Sequence, residues 1–147
     1  MKIIILDTNF LVYSAKYKID IERECERLLD EGFELIVSLP VITELKVLQK
    51  EAELKDREAA ALALELVKRF KIVKTGAKRA DDACLELALF PSSESLGYTA
   101  RGREHGAGRA EVEKVLATMD KALRKRFKKG KKGRFLVIKQ KKYLALI

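Results

Sequence analysis

Hydrophobic residues fall along this chain in two alternating patterns, short continuous runs and longer stretches with helical spacing. The first short run, "IIIL" at residues 3–6, ends abruptly at Asp7, Thr8 and Asn9. Such runs are typical of buried strands, and strands are predicted at residues 3–6, 33–38, 71–75, 112–118 and 134–138. Helices are predicted at residues 9–17, 19–32, 39–54, 56–70, 81–90 and 120–129. This alternation predicts an α/β fold on a mostly parallel sheet of four or five strands.

The chain of 147 residues suits one domain with a sizeable core. Residues 91–110 lack periodicity and are rich in Gly and Ser, which predicts a flexible insertion. No apolar run approaches the roughly 18 residues that a membrane helix needs. Cys25 and Cys84 are isolated, which indicates buried thiols in a reducing compartment. We therefore expect a single soluble, cytoplasmic domain over residues 1–147.

The net charge of +9 is unevenly distributed. Residues 121–142 contain twelve Lys or Arg and no Asp or Glu, whereas the first 120 residues carry a net charge of −3. A run of basic residues is commonly a solvated face, but this complete segregation favours binding to a phosphate backbone. The basic segment 121–142 therefore predicts a nucleic acid partner.

Carboxylates follow the predicted strands at nearly constant intervals. Asp7, Glu44, Asp82 and Asp120 each come after a different strand, 37 or 38 residues apart, and Asp81 accompanies Asp82. Each interval is close to the 30 or so residues of a βαβ unit. Residues just beyond the carboxyl ends of parallel strands converge on one crevice, so we expect these acids at one edge of the sheet.

Two interpretations of these acids stand side by side. Aspartate is a favoured helix N-cap, so Asp7, Asp81 and Asp120 are each consistent with a purely structural role. Glu44 is different, because its stretch "LIVSLPVITEL" has no other charged residue. Clustered carboxylates repel one another unless a hard cation such as Mg²⁺ or Mn²⁺ compensates. Such a cation activates water and polarises a phosphoryl oxygen, which is the chemistry of phosphodiester hydrolysis.

The acidic motifs resemble those of the PIN-domain ribonucleases. "LDTNFLVYS" is similar to the opening motif of that family, "VITEL" to its glutamate-bearing helix, and "RADDACLELAL" and "VLATMDKALRKRF" to its third and fourth acidic motifs. The resemblance covers nearly the whole chain and leans towards the branch that cleaves pre-ribosomal RNA in the small-subunit processome. It implies a three-layer α/β/α fold, cleavage of single-stranded RNA and dependence on Mg²⁺ or Mn²⁺.

The resemblance also implies roles for individual residues. The catalytic metal ligands would be Asp7, Glu44, Asp82 and Asp120, oriented by Asn9, Asp81 and Thr118. From charge, we expect RNA to be bound by Lys121, Arg124, Lys125, Arg126, Lys128 and Lys129, together with Arg101 and Arg103 of the insertion.

Three functions are compatible with these features. The first is a metal-dependent endoribonuclease that acts on structured RNA, with a pre-ribosomal particle as partner. The second is a VapC-type toxin ribonuclease restrained by an antitoxin. The third is a catalytically weak RNA-binding scaffold of ribosome assembly. Family resemblance also implies a homodimer.

Overall fold

The computed structural model describes residues 1–89, 112–130 and 133–147. The predicted insertion, with Arg101 and Arg103, lies outside the described residues. Lys129 is described as part of a helix, but its side chain is not described. In chain order the elements are β1 Lys2–Leu6, α1 Thr8–Lys16, α2 Ile21–Leu28, β2 Phe33–Ser38, α3 Leu39–Glu51, α4 Leu54–Val67, β3 Lys71–Val73, α5 Ala80–Leu89, β4 Glu113–Ala117, α6 Lys121–Gly130, β5 Arg134–Lys139 and β6 Tyr143–Leu146.

One sheet with the strand order β3-β2-β1-β4-β5-β6 runs through the described part of the chain. The pairings among β1 to β5 are parallel, and β1 at the centre pairs with both β2 and β4. Four consecutive β1 residues, Ile3 to Leu6, are at most 1% exposed. Successive side chains of a strand point to opposite faces, so both faces of the sheet are covered. The predicted α/β/α fold with a mostly parallel sheet is confirmed.

The sheet has one more strand than predicted. β6 pairs antiparallel with β5, and the turn between them places Gln140 and Lys141 at φ angles of 52° and 56°. Hairpin turns with positive φ normally use Gly or Asn, and this turn has neither. The sequence "KQKK" therefore carried no hairpin signal, and β6 was missed.

The strand order reverses at β1, because the chain first builds outwards through β2 and β3 and then returns to add β4 on the other side. In open α/β sheets the carboxyl ends at such a reversal enclose the main crevice. Asp7 directly follows β1, and Thr118 directly follows β4. The fold therefore brings these two distant segments together at one edge.

The basic helix α6 is held on the sheet by an aromatic contact. Phe127 is 1% exposed, and its ring meets that of Phe135 of β5 edge-on at a centroid distance of 5.5 Å. A Cβ added to Gly133 would lie 1.6 Å from Phe127 Cε1, so the ring occupies the space that any larger residue would need. Within residues 1–89, 112–130 and 133–147, no helix is long and apolar enough to cross a membrane.

Candidate active site

Asp7 is a buried carboxylate at the junction of β1 and α1. It is 6% exposed and is the N-cap of α1. Its Oδ1 accepts a hydrogen bond from the backbone N–H of Thr8 at 2.8 Å, and its Oδ2 accepts one from Thr118 Oγ1 at 2.7 Å. These two donors, one at the start of α1 and one directly after β4, fix the orientation of the carboxylate.

The electrostatic surroundings of Asp7 oppose its ionisation. Burial raises the pKa of Asp7 above its ordinary value, and the negative charges of Glu44 and Asp120 raise it further, while the hydrogen bonds from Thr118 and Thr8 act in the opposite direction. Glu44 of α3 and Asp120 after β4 therefore both lie within electrostatic reach of Asp7.

Thr118 connects Asp7 to Asp120. The Thr118 side chain is fully buried, and its Oγ1 also accepts a hydrogen bond from the backbone N–H of Asp120 at 3.1 Å. Asp120 uses Oδ1 to accept bonds from the backbone N–H groups of Ala122 and Leu123, at 2.8 Å and 3.2 Å, and so caps α6. The capping interpretation and the active-site interpretation thus apply to the same residue.

The buried thiol of Cys84, on α5, lies beside the carboxylate of Asp7. Its Sγ lies 4.0 Å from Asp7 Oδ1. Burial raises the pKa of the Cys84 thiol well above its ordinary value, and the charges of Asp7, Glu44 and Asp81 add to this effect. Cys84 therefore stays a neutral thiol, and both cysteines are free and buried, as predicted.

Asp81 and Asp82 face α6, where Arg126 binds both of them. Arg126 Nη2 donates to Asp82 Oδ1 at 2.7 Å, and Nη1 donates to Asp81 Oδ2 at 3.3 Å. The interaction with Asp82 is the main cause of a raised Arg126 pKa. Arg126, which was predicted to bind RNA, is thus the counter-ion of a predicted metal ligand, a contact that the sequence did not indicate.

The types of side chain at this edge fit a hard divalent cation, because such ions prefer carboxylate and hydroxyl oxygens as ligands. The buried Thr8 Oγ1 has no hydrogen-bond partner among the described residues. As they stand, however, no three His, Cys, Asp or Glu side chains of the described ranges are grouped closely enough to hold a metal ion. Asp82 is occupied by Arg126, and Glu44 lies on the exposed side of α3.

The basic residues of α6 are exposed or half-buried along one element next to these acids. Lys121, Lys125 and Lys128 are exposed, and Arg124 is half-buried. Within the described part of the chain, none of these four forms an ion pair with Asp or Glu, unlike Arg126. Lys128 Nζ also lies 5.6 Å from the centroid of the Phe135 ring. The positive charge of these residues at the surface of α6 is suited to attracting an anionic partner.

A groove of about 650 Å³ opens beside Asp120. It is lined by Asn9, Tyr13, Tyr17, Met119, Asp120, Ile138, Gln140 and Lys141. Sequence reasoning identified Asn9 and Asp120 but missed the tyrosines. Their spacing of four residues on a helix that begins at the first acid was the available signal, because such residues lie on the same helix face.

Comparison with known proteins identifies the family. A family model described as a PIN-like domain matches residues 4–101. The chain belongs to the PIN-like domain family. This PIN-like domain is 33% identical over 145 residues to ribonuclease VapC4 of Methanocaldococcus jannaschii, and the alignment covers 97% of this chain and 95% of that protein.

The fold of the PIN-like domain also matches a solved structure, that of the PIN domain endonuclease Utp24. The TM-score is 0.65 at 23% identity, with 98% of this chain and 90% of that chain covered. The resemblance indicated by the acidic motifs is thus confirmed for family and fold. The roles of the individual site residues stay predictions.

Proposed function

We propose that this PIN-like domain is a metal-dependent endoribonuclease that cleaves single-stranded regions of structured RNA in the cytoplasm. The observation that carries the proposal is the buried carboxylate of Asp7, held by two hydrogen bonds while the negative charges of Glu44 and Asp120 disfavour its ionisation. A buried acid whose pKa is raised by burial and by neighbouring acids, at the strand reversal of an α/β sheet, is typical of a functional site. The 33% identity to a ribonuclease along nearly the whole chain supports the same reaction class.

A divalent cation, Mg²⁺ or Mn²⁺, would relieve the repulsion between these carboxylates. Asp7, Glu44, Asp82 and Asp120 would hold it, and Asp82 would exchange Arg126 for the cation. When bound, the ion supplies a more acidic water and a polarised phosphoryl oxygen. Thr118 keeps Asp7 in place from β4, and Asp81, as a second partner of Arg126, would keep the guanidinium close by.

The exposed basic residues of α6 would hold the RNA backbone beside this site. Lys121, Arg124, Lys125 and Lys128 would neutralise phosphates without reading sequence. Cleavage would then occur where the backbone crosses the carboxyl edge of β1 and β4.

Two biological roles fit this activity. The motif details in "ATMDKALRKR" favour processing of pre-ribosomal RNA, with a pre-ribosomal particle as partner. The identity to VapC4 favours the second role, a VapC-type toxin ribonuclease whose partner is an antitoxin. Co-purification of the tagged protein with ribosomal precursors, or with a small protein that blocks cleavage, separates the two roles.

The test of the activity uses an end-labelled RNA hairpin with single-stranded flanks, incubated with Mn²⁺, with Mg²⁺ or with EDTA. We compare the unmodified protein with Asp7→Asn and Asp20→Asn. Asp20 is the N-cap of α2, and its side chain accepts a hydrogen bond from the backbone N–H of Arg23. Because Asn caps helices as well as Asp does, Asp20→Asn makes the same chemical change at an unrelated helix start.

We expect cleavage of the single-stranded flanks that requires the metal, survives Asp20→Asn and is abolished by Asp7→Asn. RNA binding, measured by fluorescence anisotropy, should survive both substitutions. Equal cleavage by the unmodified protein and Asp7→Asn would overturn the proposal. Binding by the unmodified protein without cleavage under any condition would overturn it too, in favour of an RNA-binding scaffold.

A further inference from the structure

The groove beside Asp120 has features that the acidic site does not need. Its volume of about 650 Å³ falls within the roughly 300–1,000 Å³ of typical small-ligand sites. One wall is the exposed face of α1 with Tyr13 and Tyr17, and the opposite wall is the β5–β6 turn with Gln140 and Lys141. The groove therefore extends from the carboxylates to a surface of a different chemical character.

The α1 wall presents an aromatic platform. The rings of Tyr13 and Tyr17 are stacked, with centroids 6.0 Å apart and planes inclined by 6°. Tyr13 is 37% exposed, which is high for a large aromatic residue. Tyr17 is half-buried and packs against the core, so it holds the exposed Tyr13 ring in a fixed orientation. An exposed ring that is ordered in this way is suited to stacking on a flat ligand.

The opposite wall supplies a cation and an amide. Lys141 Nζ lies 5.7 Å from the centroid of the Tyr17 ring, which is the distance of a cation–π contact. Gln140 and Lys141 both have positive φ, a conformation that non-glycine residues adopt at a cost and that recurs at ligand-binding sites. The pairing of β5 with β6 holds the turn in place, with Lys139 opposite Tyr143.

We propose that this groove binds a nucleotide of single-stranded RNA next to the phosphate that is cleaved. The base stacks on Tyr13, Lys141 neutralises the adjoining phosphate, and Gln140 and Asn9 offer amide groups to the base edge. The proposal rests on the proposed nuclease function for the identity of the ligand. It adds a structural reason why the bound strand must be unpaired, because a base within a duplex cannot reach the Tyr13 ring.

The test measures binding of a short single-stranded RNA and of the corresponding duplex by fluorescence anisotropy, in EDTA so that metal-dependent cleavage does not interfere. The variants are Tyr13→Ala, Tyr13→Phe, Lys141→Gln and the control Tyr143→Ala. Tyr143 is 38% exposed, nearly the same as Tyr13, and lies on β6 outside the groove. Circular dichroism melting verifies that each variant is folded.

We expect Tyr13→Ala to weaken single-strand binding by about tenfold and to leave duplex binding unchanged. Tyr13→Phe, which keeps the ring, and Tyr143→Ala should bind as the unmodified protein does. Lys141→Gln should reduce the slope of log affinity against log salt by about 0.7, the value for one phosphate contact on a single strand.

Unchanged single-strand affinity in Tyr13→Ala, an equal loss in Tyr143→Ala, or no single-strand binding by the unmodified protein would each overturn the proposal. Should Tyr13→Ala not fold, an unaltered salt slope in Lys141→Gln overturns it. The same experiments distinguish a failure of the groove assignment from a failure of the proposed nuclease function. If the unmodified protein never cleaves but Tyr13→Ala loses single-strand binding, the groove assignment stands without the reaction. If cleavage occurs and Tyr13→Ala binds normally, the reaction stands without the groove.

Discussion

Replacing Thr118 with Val removes a hydrogen bond to a buried carboxylate while nearly preserving the shape of the side chain. A hydrogen bond to a charged group contributes about 1.5–3 kcal/mol to stability, and the bond from Thr118 Oγ1 to Asp7 Oδ2 is 2.7 Å long at a fully buried position. The backbone N–H of Asp120 also loses its acceptor, which adds up to about 1 kcal/mol. We therefore expect Thr118→Val to lower the free energy of unfolding by about 1.5–4 kcal/mol.

Thr118→Ser is the matched control, because it keeps the hydroxyl and both hydrogen bonds. It removes one buried methyl group, at a cost of about 1 kcal/mol. Urea denaturation followed by circular dichroism, in EDTA, measures both variants. With a slope of about 1–3 kcal/mol per M for a small protein, the two unfolding midpoints should be clearly separated.

The effect of Thr118→Val should depend on pH in a defined direction. The pKa of Asp7 is raised above 3.8 in the folded protein, so folding is favoured by protonation, and stability falls as pH rises from about 3.8 through the folded pKa. Loss of the Thr118 donor raises that pKa further. The cost of Thr118→Val should therefore grow as pH rises from the folded pKa of Asp7 in the unmodified protein to its higher folded pKa in the variant, from the roughly 0.5–1.5 kcal/mol of a neutral hydrogen bond towards the value for a charged one. A decrease in the free energy of unfolding that is no larger in Thr118→Val than in Thr118→Ser would refute the reasoning. A cost of Thr118→Val that does not depend on pH would refute it too.

Two further predictions concern the charges at the same edge. Asp7→Asn should raise the free energy of unfolding at neutral pH without metal, because it removes a buried charge that Glu44 and Asp120 repel. The Asn oxygen keeps the cap of α1, and the Asn amide would donate to Thr118 Oγ1 in place of the bond that Asp7 Oδ2 accepts. A lower urea midpoint than that of the unmodified protein would contradict this. Arg126→Gln should strengthen Mn²⁺ binding, measured by calorimetry, because it frees Asp82 of a competing cation. Arg124→Gln removes the same charge from the same helix without an ion pair, so equal Mn²⁺ affinities of these two variants would contradict the competition.

The elements of the fold were predictable because their signals are local. β2 was predicted at the residues that the structure assigns to it, Phe33–Ser38, since a continuous apolar run between a helix-ending Gly and a helix with an early Pro leaves little choice. The approximate placement of the acids was also predictable. It follows from parallel connectivity, which sends every strand end to the same edge.

The contacts within the site were not predictable, because they join residues that spacing alone does not orient. Thr118 and Asp7 are 111 positions apart, and Arg126 and Asp82 are 44 apart. A run of basic residues gives no sign of which one pairs with the acids of α5. Arg126 was therefore grouped with the RNA-binding residues, although the structure pairs it with two acids.

The residues after β1 allow two interpretations of Asp7, as a helix cap and as part of the active site. These two roles do not exclude each other. Asp7 and Asp120 each cap a helix through one carboxylate oxygen, which a structural role alone would explain. An exposed Asp or Asn would cap equally well, however, without the cost of burial beside Glu44 and Asp120. The fold keeps a buried charge at its strand reversal that capping does not require. Because this arrangement opposes stability in the metal-free protein, it agrees with the proposed function, in which the same carboxylates would bind a cation.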